Sequence, residues 1–473
     1  MKILIFGTGT YYQRYKRWFE KTEVVGLLDN DSGKCGVIDG IQVMLPKDGI
    51  NKTYDKIFIL SAFWKEMKEQ LKDLGVNAAK IYTWDQINDE LDDIKRGKIQ
   101  VIGCEQKSPE KLAGMWEKGK RILLLSADMT LSGGEIALFN MAVIFKKNGY
   151  HVAVCSSSDG LLTEKYVLEE IPVIINPDMD IDMMDDFPWM GLFDVIWINT
   201  IRFWHFLTRH SLHAEKILWL HGAAVVYEEI DKYKLSEIDF SDLSVYAVGR
   251  LAALPFQKYC GVKVNDYLLY GVPEETGSKK RQQNELVFAL VGAITKNKAQ
   301  DIFVNAIEEI GYDVGGRCKF LIIGRDGNKG YADNVRKKAE ELRGIGFSVE
   351  CTGELDREHL AEMYQSVSVV VCPSIDDTMP TVLVEGMRHQ IPCIASDGTG
   401  ISDYITSGED GLVCEAGNVH DLAEKMKWMI VNRDSINDMG NRARKLYDKF
   451  FSIAVFEKNV LKILNKVISG ECR

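Results

Sequence analysis

Proline is scarce, 10 in 473 residues, and no apolar run approaches the roughly 18 residues that would span a bilayer, so neither an extended Pro-rich polymer nor a membrane-spanning helix is expected. An excess of basic charge is also lacking. Lys and Arg total 58 against 69 Asp and Glu, for a net charge of −11, which excludes a general nucleic-acid binder while leaving room for a local pocket that takes phosphates. The ten cysteines include no C-x-x-C pair and no cluster with His at zinc spacing, so they read as reduced thiols of a cytoplasmic protein. Cys351, Cys372, Cys393 and Cys414 do recur every 21 residues, but each ends or flanks a predicted strand, and the period is that of successive strand–helix units. The apolar run Ile3–Phe6 is too short for a signal peptide. What is present is 46% hydrophobic and 27% charged residues with 40 Gly, enough for substantial cores and a prior of about three domains, although two larger ones would fit.

Short apolar runs ending in Gly, Ser or Asn alternate with helix-period segments along the whole chain, which predicts an α/β protein with parallel sheets. Three sets emerge. The first has strands at Lys2–Phe6, Val24–Asp29, Lys56–Ser61 and Lys80–Thr83. The second has Arg121–Ser126, Val152–Ser156, Val173–Ile175, Val195–Asn199, Ile217–His221, Ser244–Val248 and Tyr267–Tyr270. The third has Leu286–Gly292, Phe320–Gly324, Ser348–Gly353, Ser368–Pro373, Cys393–Asp397 and Leu412–Glu415. This divides the chain into a Rossmann-like domain at 1–95, a linker at 96–118, a second domain at 119–272, a polar hinge at 273–284, a third domain at 285–448, and a C-terminal amphipathic helix at 449–473 expected to pack back on the second domain. Ligands of such sheets bind beyond the carboxyl ends of the strands, so a cleft between the second and third domains is the expected site.

The most informative segment follows the fourth strand of the third set and includes Asp376-Asp377-Thr378-Met379-Pro380-Thr381-Val382-Leu383-Val384-Glu385. Pro380 is expected as the first helical residue, leaving the N–H groups of Thr381, Val382 and Leu383 as a helix N-terminus suited to a phosphate or diphosphate. Glu385, a turn or so further on, can accept from a ribose diol; a carboxylate has no use against the diphosphate itself.

The acid-x7-acid spacing of Asp377 and Glu385, with Pro373-Ser374 before it and Ile391-Pro392-Cys393 after it, resembles the donor-site signature of retaining glycosyltransferases of family 4, which have the GT-B fold. Further matches follow in order at Gly271-Val272-Pro273, at Val291-Gly292 with Lys298-Ala299-Gln300-Asp301, at Leu321–Gly324, at Cys351-Thr352-Gly353, and at Gly408–Val413. The resemblance implies that Glu385 binds the donor ribose, that Asp377 holds hydroxyls of the transferred sugar, and that Lys298 neutralises the diphosphate leaving group. Gly292, Gly324 and Gly353 would then lie along the donor. Two departures stand out: Ala293 occupies the usual place of an Arg, leaving Lys298 with Lys296 as the available cations, and Asp377 replaces the usual Glu.

In the second domain, Gly133-Gly134 opens a helix and is similar to the family's Gly-Gly loop facing the donor phosphates, and His221 in Leu218-Trp219-Leu220-His221-Gly222 resembles its His that contacts the transferred sugar. Asn199 and Arg202, after another strand, are candidates to face an acceptor. Asp178-Met179-Asp180-Ile181-Asp182 has the look of an Asp-x-Asp metal motif, but its acidic surroundings read as a solvated loop, and no metal is expected. In the first domain Gly7-x-Gly9, with Asp29 ending the next strand, forms an incomplete dinucleotide fingerprint in which Tyr12 stands at the third glycine. That unit resembles the small domain opening many bacterial sugar-modifying acyltransferases, and either nucleotide binding or docking fits it.

The leading expectation is a metal-independent retaining glycosyltransferase, without cofactor. It would move a hexose or deoxyhexose from a nucleotide diphosphate sugar to a saccharide or lipid-linked saccharide acceptor, as in bacterial surface-polysaccharide synthesis. Peripheral association with the inner face of the membrane stays open. The alternatives are a nucleotide-sugar isomerase on the same fold and a non-catalytic nucleotide-sugar-binding scaffold subunit.

Overall fold

A computed structural model describes residues 1–61, 63–91, 97–179, 187–203, 214–230, 235–275 and 285–470. Most of the hinge expected at 273–284, and Asp180 and Asp182, lie outside the described residues. The fold is α/β: three separate sheets, the first forming its own unit ahead of a two-sheet core. The central apolar runs, such as Ile3–Phe6, Ile122–Leu125 and Val369–Cys372, become strands because they are buried on both faces, the requirement of a parallel sheet covered by helices, while the edge strands Ser348–Gly353 and Asp266–Tyr267 are less covered.

The first sheet contains β1 (Lys2–Phe6), β2 (Glu23–Leu28), β3 (Gly36–Ile38), β4 (Ile41–Met44), β5 (Lys56–Ile59) and β6 (Ile81–Thr83), ordered β3-β4-β2-β1-β5-β6. The β3–β4 hairpin, its turn at Asp39 and Gly40 in left-handed backbone, is absent from the expectation because its strands are short and only half-buried. The second sheet contains β7 (Gln100–Ile102), β8 (Arg121–Leu125), β9 (His151–Ser156), β10 (Val173–Ile175), β11 (Val195–Ile198), β12 (Glu215–Leu220), β13 (Ser244–Ala247) and β14 (Asp266–Tyr267). Its order is β14-β13-β12-β11-β8-β9-β10-β7. The segment expected as a linker supplies β7, which pairs antiparallel with β10 and so closes one edge of this sheet. The third sheet, all parallel, contains β15 (Leu286–Val291), β16 (Cys318–Ile323), β17 (Ser348–Gly353), β18 (Val369–Cys372), β19 (Cys393–Ser396) and β20 (Leu412–Cys414), ordered β17-β16-β15-β18-β19-β20. The four evenly spaced cysteines fall on β17, β18, β19 and β20, one per strand.

Strand order reverses between β8 and β11 in the second sheet and between β15 and β18 in the third. At such a point the two flanking loops turn to opposite faces and leave a crevice at the carboxyl ends of the strands. The two crevices face each other.

The C-terminal helix Ile453–Ser469, capped by Ser452, lies against the second sheet's layer, with Phe456 stacked on Trp219 at a centroid distance of 5.7 Å. Trp219 is fully buried and its indole N–H donates to the Leu268 carbonyl at 3.0 Å. Gly271 passes so close that an added Cβ would sit 2.4 Å from Phe456 Cβ, which ties the exit from the second domain to this helix. Among the described residues no helix is long and apolar enough to cross a membrane. Phe456→Ala removes the ring that fills this joint and is expected to cost about 3–5 kcal/mol, read as a lowered urea midpoint.

Candidate functional site

A cavity of about 350 Å³ occupies the space between the two facing crevices, within the usual range for a small-molecule site. Each strand bordering a reversal contributes. From the second sheet come Ala127 after β8 and Asn199 after β11, with His221 after the adjacent β12; from the third come Gly292 after β15 and Asp377 after β18. Two helices also end on the cavity: Gly133–Lys147 presents Gly133 and Gly134, and Thr381–Arg388 presents Thr381 and Val382. Their N-termini carry unpaired amides and the positive end of the helix dipole, so the cavity is built for an anionic group. Pro380 is the residue that caps the second helix rather than its first helical residue; its ψ of 102° is extended, and its carbonyl accepts from Leu383 N at 3.2 Å, leaving Thr381 and Val382 as the open amides.

Lys298 ends a short turn whose N-cap is Thr295, and it lines the cavity with its ammonium on the Asp377 carboxylate. Burial alone would depress the ammonium, but the adjacent Asp377 outweighs it and holds the group above its ordinary value. The turn is stitched to the Asp377 loop by Asn297, which donates from Nδ2 to the Asp376 carbonyl at 2.8 Å and accepts Asp376 N–H at 3.1 Å and Ile375 N–H at 2.8 Å. Lys296 is not among the lining residues.

His221 is partly buried in the cavity wall, and its Nδ1 lies 2.6 Å from the Tyr270 hydroxyl. Burial lowers its pKa to about 3, so the ring is neutral at all ordinary pH. The two domains touch here. Thr378 Oγ1 donates to the His221 carbonyl at 2.7 Å, and Ala224 N–H at the start of helix Ala224–Ile230 donates to the Asp376 carboxylate. Away from the cavity Arg250 grips Asp403 with a fork of bonds at 2.9 and 3.0 Å.

The remaining candidates fall in different places. Glu385 is not among the lining residues; its carboxylate accepts from Tyr364 Oη at 2.9 Å. Gly324 and Gly353 end strands beside the cavity rather than lining it. Gly324 has φ +153°, and a Cβ there would lie 2.0 Å from the Gly292 carbonyl oxygen, so glycine is what permits β15 and β16 to approach at their ends. Gly133 and Gly134 are not sterically required, since a Cβ at either would meet ordinary contacts at 3.5 Å; what they give is uncovered backbone. Asn199 lines the cavity, its side-chain Oδ1 accepting Ala127 N–H at 3.3 Å, whereas Arg202 does not line it.

Asp178, expected in a solvated loop, is instead buried: it pairs with Arg17 of the first domain at 3.0 Å and accepts Gly97 N–H at 2.9 Å. In the first domain Asp29 is buried, and its carboxylate already takes the hydroxyl and N–H of Thr8, the N–H of Asp31 and the Lys34 ammonium at 3.1 Å. Those bonds fill the oxygens that a ribose diol would need. Gly7, at φ +108°, turns the chain so that a Cβ would strike the Leu60 carbonyl, and Gly9 caps the short helix that follows.

The lining residues that carried no expectation include Glu135, Tyr270 and Thr378. Glu135 has a readable signal, an acid in the first turn of the helix opened by Gly133-Gly134. Burial, with Asp128 nearby, raises its pKa to about 7. A carboxyl raised in the folded state stabilises fully below the unfolded range near 4.5, and that contribution is lost as pH rises through 7. Glu135→Gln should therefore melt about 2 °C or more above the unchanged protein at pH 8, with the difference vanishing toward pH 4.5, as a series of melting curves will show.

Two α/β units with facing carboxyl ends and a shared cavity constitute the GT-B fold. Residues 272–446 match the family model described as glycosyl transferases group 1, and residues 1–82 match the one described as C2185-like, N-terminal. Among curated proteins the chain is similar to D-inositol 3-phosphate glycosyltransferase of Nocardia farcinica, 30% identical over 162 residues, 34% of this chain and 36% of that protein. It is also similar to the GalNAc-alpha-(1->4)-GalNAc-alpha-(1->3)-diNAcBac-PP-undecaprenol alpha-1,4-N-acetyl-D-galactosaminyltransferase of Campylobacter jejuni, 25% identical over 187 residues, 39% of this chain and 49% of that one. The matched segments thus span less than half of these relatives. Among solved structures, Anabaena Alr3699/HepE in complex with UDP and glucose superposes with a TM-score of 0.61 at 16% identity, covering 73% of this chain and 100% of that one. A glycosyltransferase from Rickettsia africae gives 0.62 at 18% identity, covering 74% and 99%.

Proposed function

We propose that this chain is a retaining glycosyltransferase that moves a hexose or deoxyhexose from a nucleotide diphosphate sugar to a saccharide or lipid-linked saccharide acceptor in bacterial surface-polysaccharide or glycoconjugate synthesis. The observation that carries the reading is the cavity itself: two helix N-termini and the Lys298 ammonium converge where the strand order of both sheets reverses. Breaking a sugar–phosphate bond builds negative charge on the departing diphosphate, and fixed N–H groups with a cation stabilise that charge without reorganising. In this reading Thr381 and Val382 hold the diphosphate and Lys298 shares its ammonium between Asp377 and the leaving group, with no metal ion required. Asp377 takes sugar hydroxyls, Glu385 exchanges Tyr364 for the donor ribose, and Gly133, Gly134, Gly292, Gly324 and Gly353 border the donor. Asn199 faces the acceptor. Retention follows if the leaving phosphate accepts the proton of an acceptor hydroxyl arriving on the same face, since the carboxylates among the described lining residues, Glu135 and Asp377, are already engaged by Ser132 and Lys298. The similarity to enzymes whose names specify glycosyl transfer supports the same reading. The first domain serves as a docking unit or a separate nucleotide site.

The test is a panel of nucleotide sugars in thermal shift, since a ligand of the native state raises Tm. One member should stabilise the protein, and Lys298→Met should lower kcat with that donor about 10²- to 10³-fold. Stabilisation by none would overturn the proposal, and turnover of donor without any acceptor would redirect it to an isomerase.

A further inference from the structure

His221 and Tyr270 stand 49 positions apart in sequence, yet their rings stack with centroids 5.3 Å apart and an interplanar angle of 23°. Tyr270 is 5% exposed, and a buried hydroxyl must place its proton on an acceptor. Among the described residues, the hydrogen-bond partner of Tyr270 Oη is His221 Nδ1 at 2.6 Å. Were the imidazole proton on Nδ1, it would point at the phenol oxygen and the phenol proton would be stranded. The arrangement that satisfies both groups has Oη–H donating and Nδ1 accepting, which puts the proton of the neutral ring on Nε2.

The surroundings keep it so. Burial, with Glu135 from the Gly133–Lys147 helix and Asp377 from the loop after β18 nearby, holds the Tyr270 phenol well above its ordinary pKa, and it stays protonated. Neither carboxylate competes for the phenol proton: Glu135 accepts from Ser132 and Asp377 is paired with Lys298. His221 lines the cavity, its carbonyl is tethered by Thr378, and its buried Nε2 has no hydrogen-bond partner among the described residues. A buried donor without a partner, on a residue of the cavity wall, is satisfied only when a ligand atom reaches it.

We infer that Tyr270 is a positioning residue: by donating to Nδ1 it fixes His221 as the Nε2–H tautomer, so that the wall offers the transferred sugar a hydrogen-bond donor and favours a sugar bearing oxygen at that point. This rests on the functional reading above for its ligand, but the tautomer itself needs no ligand. A site of this kind discriminates against a sugar lacking the matching oxygen, because the buried N–H would then stay unpaired.

Long-range proton–nitrogen correlation NMR on the full chain with 15N-histidine decides the matter, with His221→Gln identifying the resonance. The expected result is a pyridine-type Nδ1 and a pyrrole-type Nε2 for His221, unchanged between pH 6 and 8.5, and a mixture of tautomers in Tyr270→Phe. Tyr270→Phe should also lower kcat about 10-fold or more while nucleotide binding holds; a merely structural tyrosine would lower Tm without moving the tautomer. Donor binding should shift the Nε2–H signal. A wild-type proton on Nδ1, an identical spectrum in Tyr270→Phe, or a bound donor that leaves the Nε2–H signal in place would overturn the inference. If no nucleotide sugar binds, the functional reading falls and the sugar contact with it, while the ligand-free spectrum still accepts or rejects the role of Tyr270.

Discussion

The ammonium of Lys298 is the constraint around which the cavity is organised. Among the described lining residues it is the one cation, and it is committed to Asp377. A partly buried charge is costly to leave unpaired, so the cavity wall depends on Asp377 as a counter-ion to Lys298. An entering anion must therefore draw on a shared ammonium, and the shortfall is made up by the dipole ends of two helices that belong to different sheets. That supply depends on the sheets facing each other. Thr378 on the His221 carbonyl and Ala224 N–H on the Asp376 carboxylate hold the faces together directly at the cavity rim.

Much of this was legible in the sequence because parallel strands announce themselves. Runs such as Val369–Cys372 and Leu286–Val291 are apolar without alternation and stop at small or polar residues, so both the strands and the loops at their carboxyl ends could be located. Once the loops were placed, the helix N-terminus at Thr381 and Val382 followed by position, the resemblance to family 4 glycosyltransferases implied Asp377, Gly133, Gly134, His221 and Lys298, and all seven line the cavity. What escaped lies in contacts between distant segments. Tyr270 reads as an ordinary aromatic near a strand end; only the approach of β12 to the segment after β14 gives it His221 as a partner. Asp178 reads as a loop acid because Arg17, its partner, lies 161 residues away. Asp29 sits where a ribose-binding acid should sit, but Thr8 and Lys34 are local enough to have been noticed and their geometry is not.

Short strands were the other blind spot. β7 is three residues long with one of them buried, too little pattern to stand out from Gly97–Lys120. Its role is visible only in the sheet, where it lies antiparallel along β10 and completes the register from Val173 to Ile175.

That small strand changes what the first domain is. A parallel sheet ending at β10 would leave a row of backbone amides and carbonyls from an entirely apolar strand, Val173-Ile174-Ile175, open to any other chain. β7 covers that edge, and just upstream of it the Gly97 amide and the Arg17 guanidinium converge on Asp178. The segment that joins the first domain to the core is thus also the selvedge of the core's largest sheet. A core trimmed to begin at β8 would keep its cavity and every residue lining it, yet would carry a raw, adhesive margin; the unit that can be separated cleanly begins before β7, not after it.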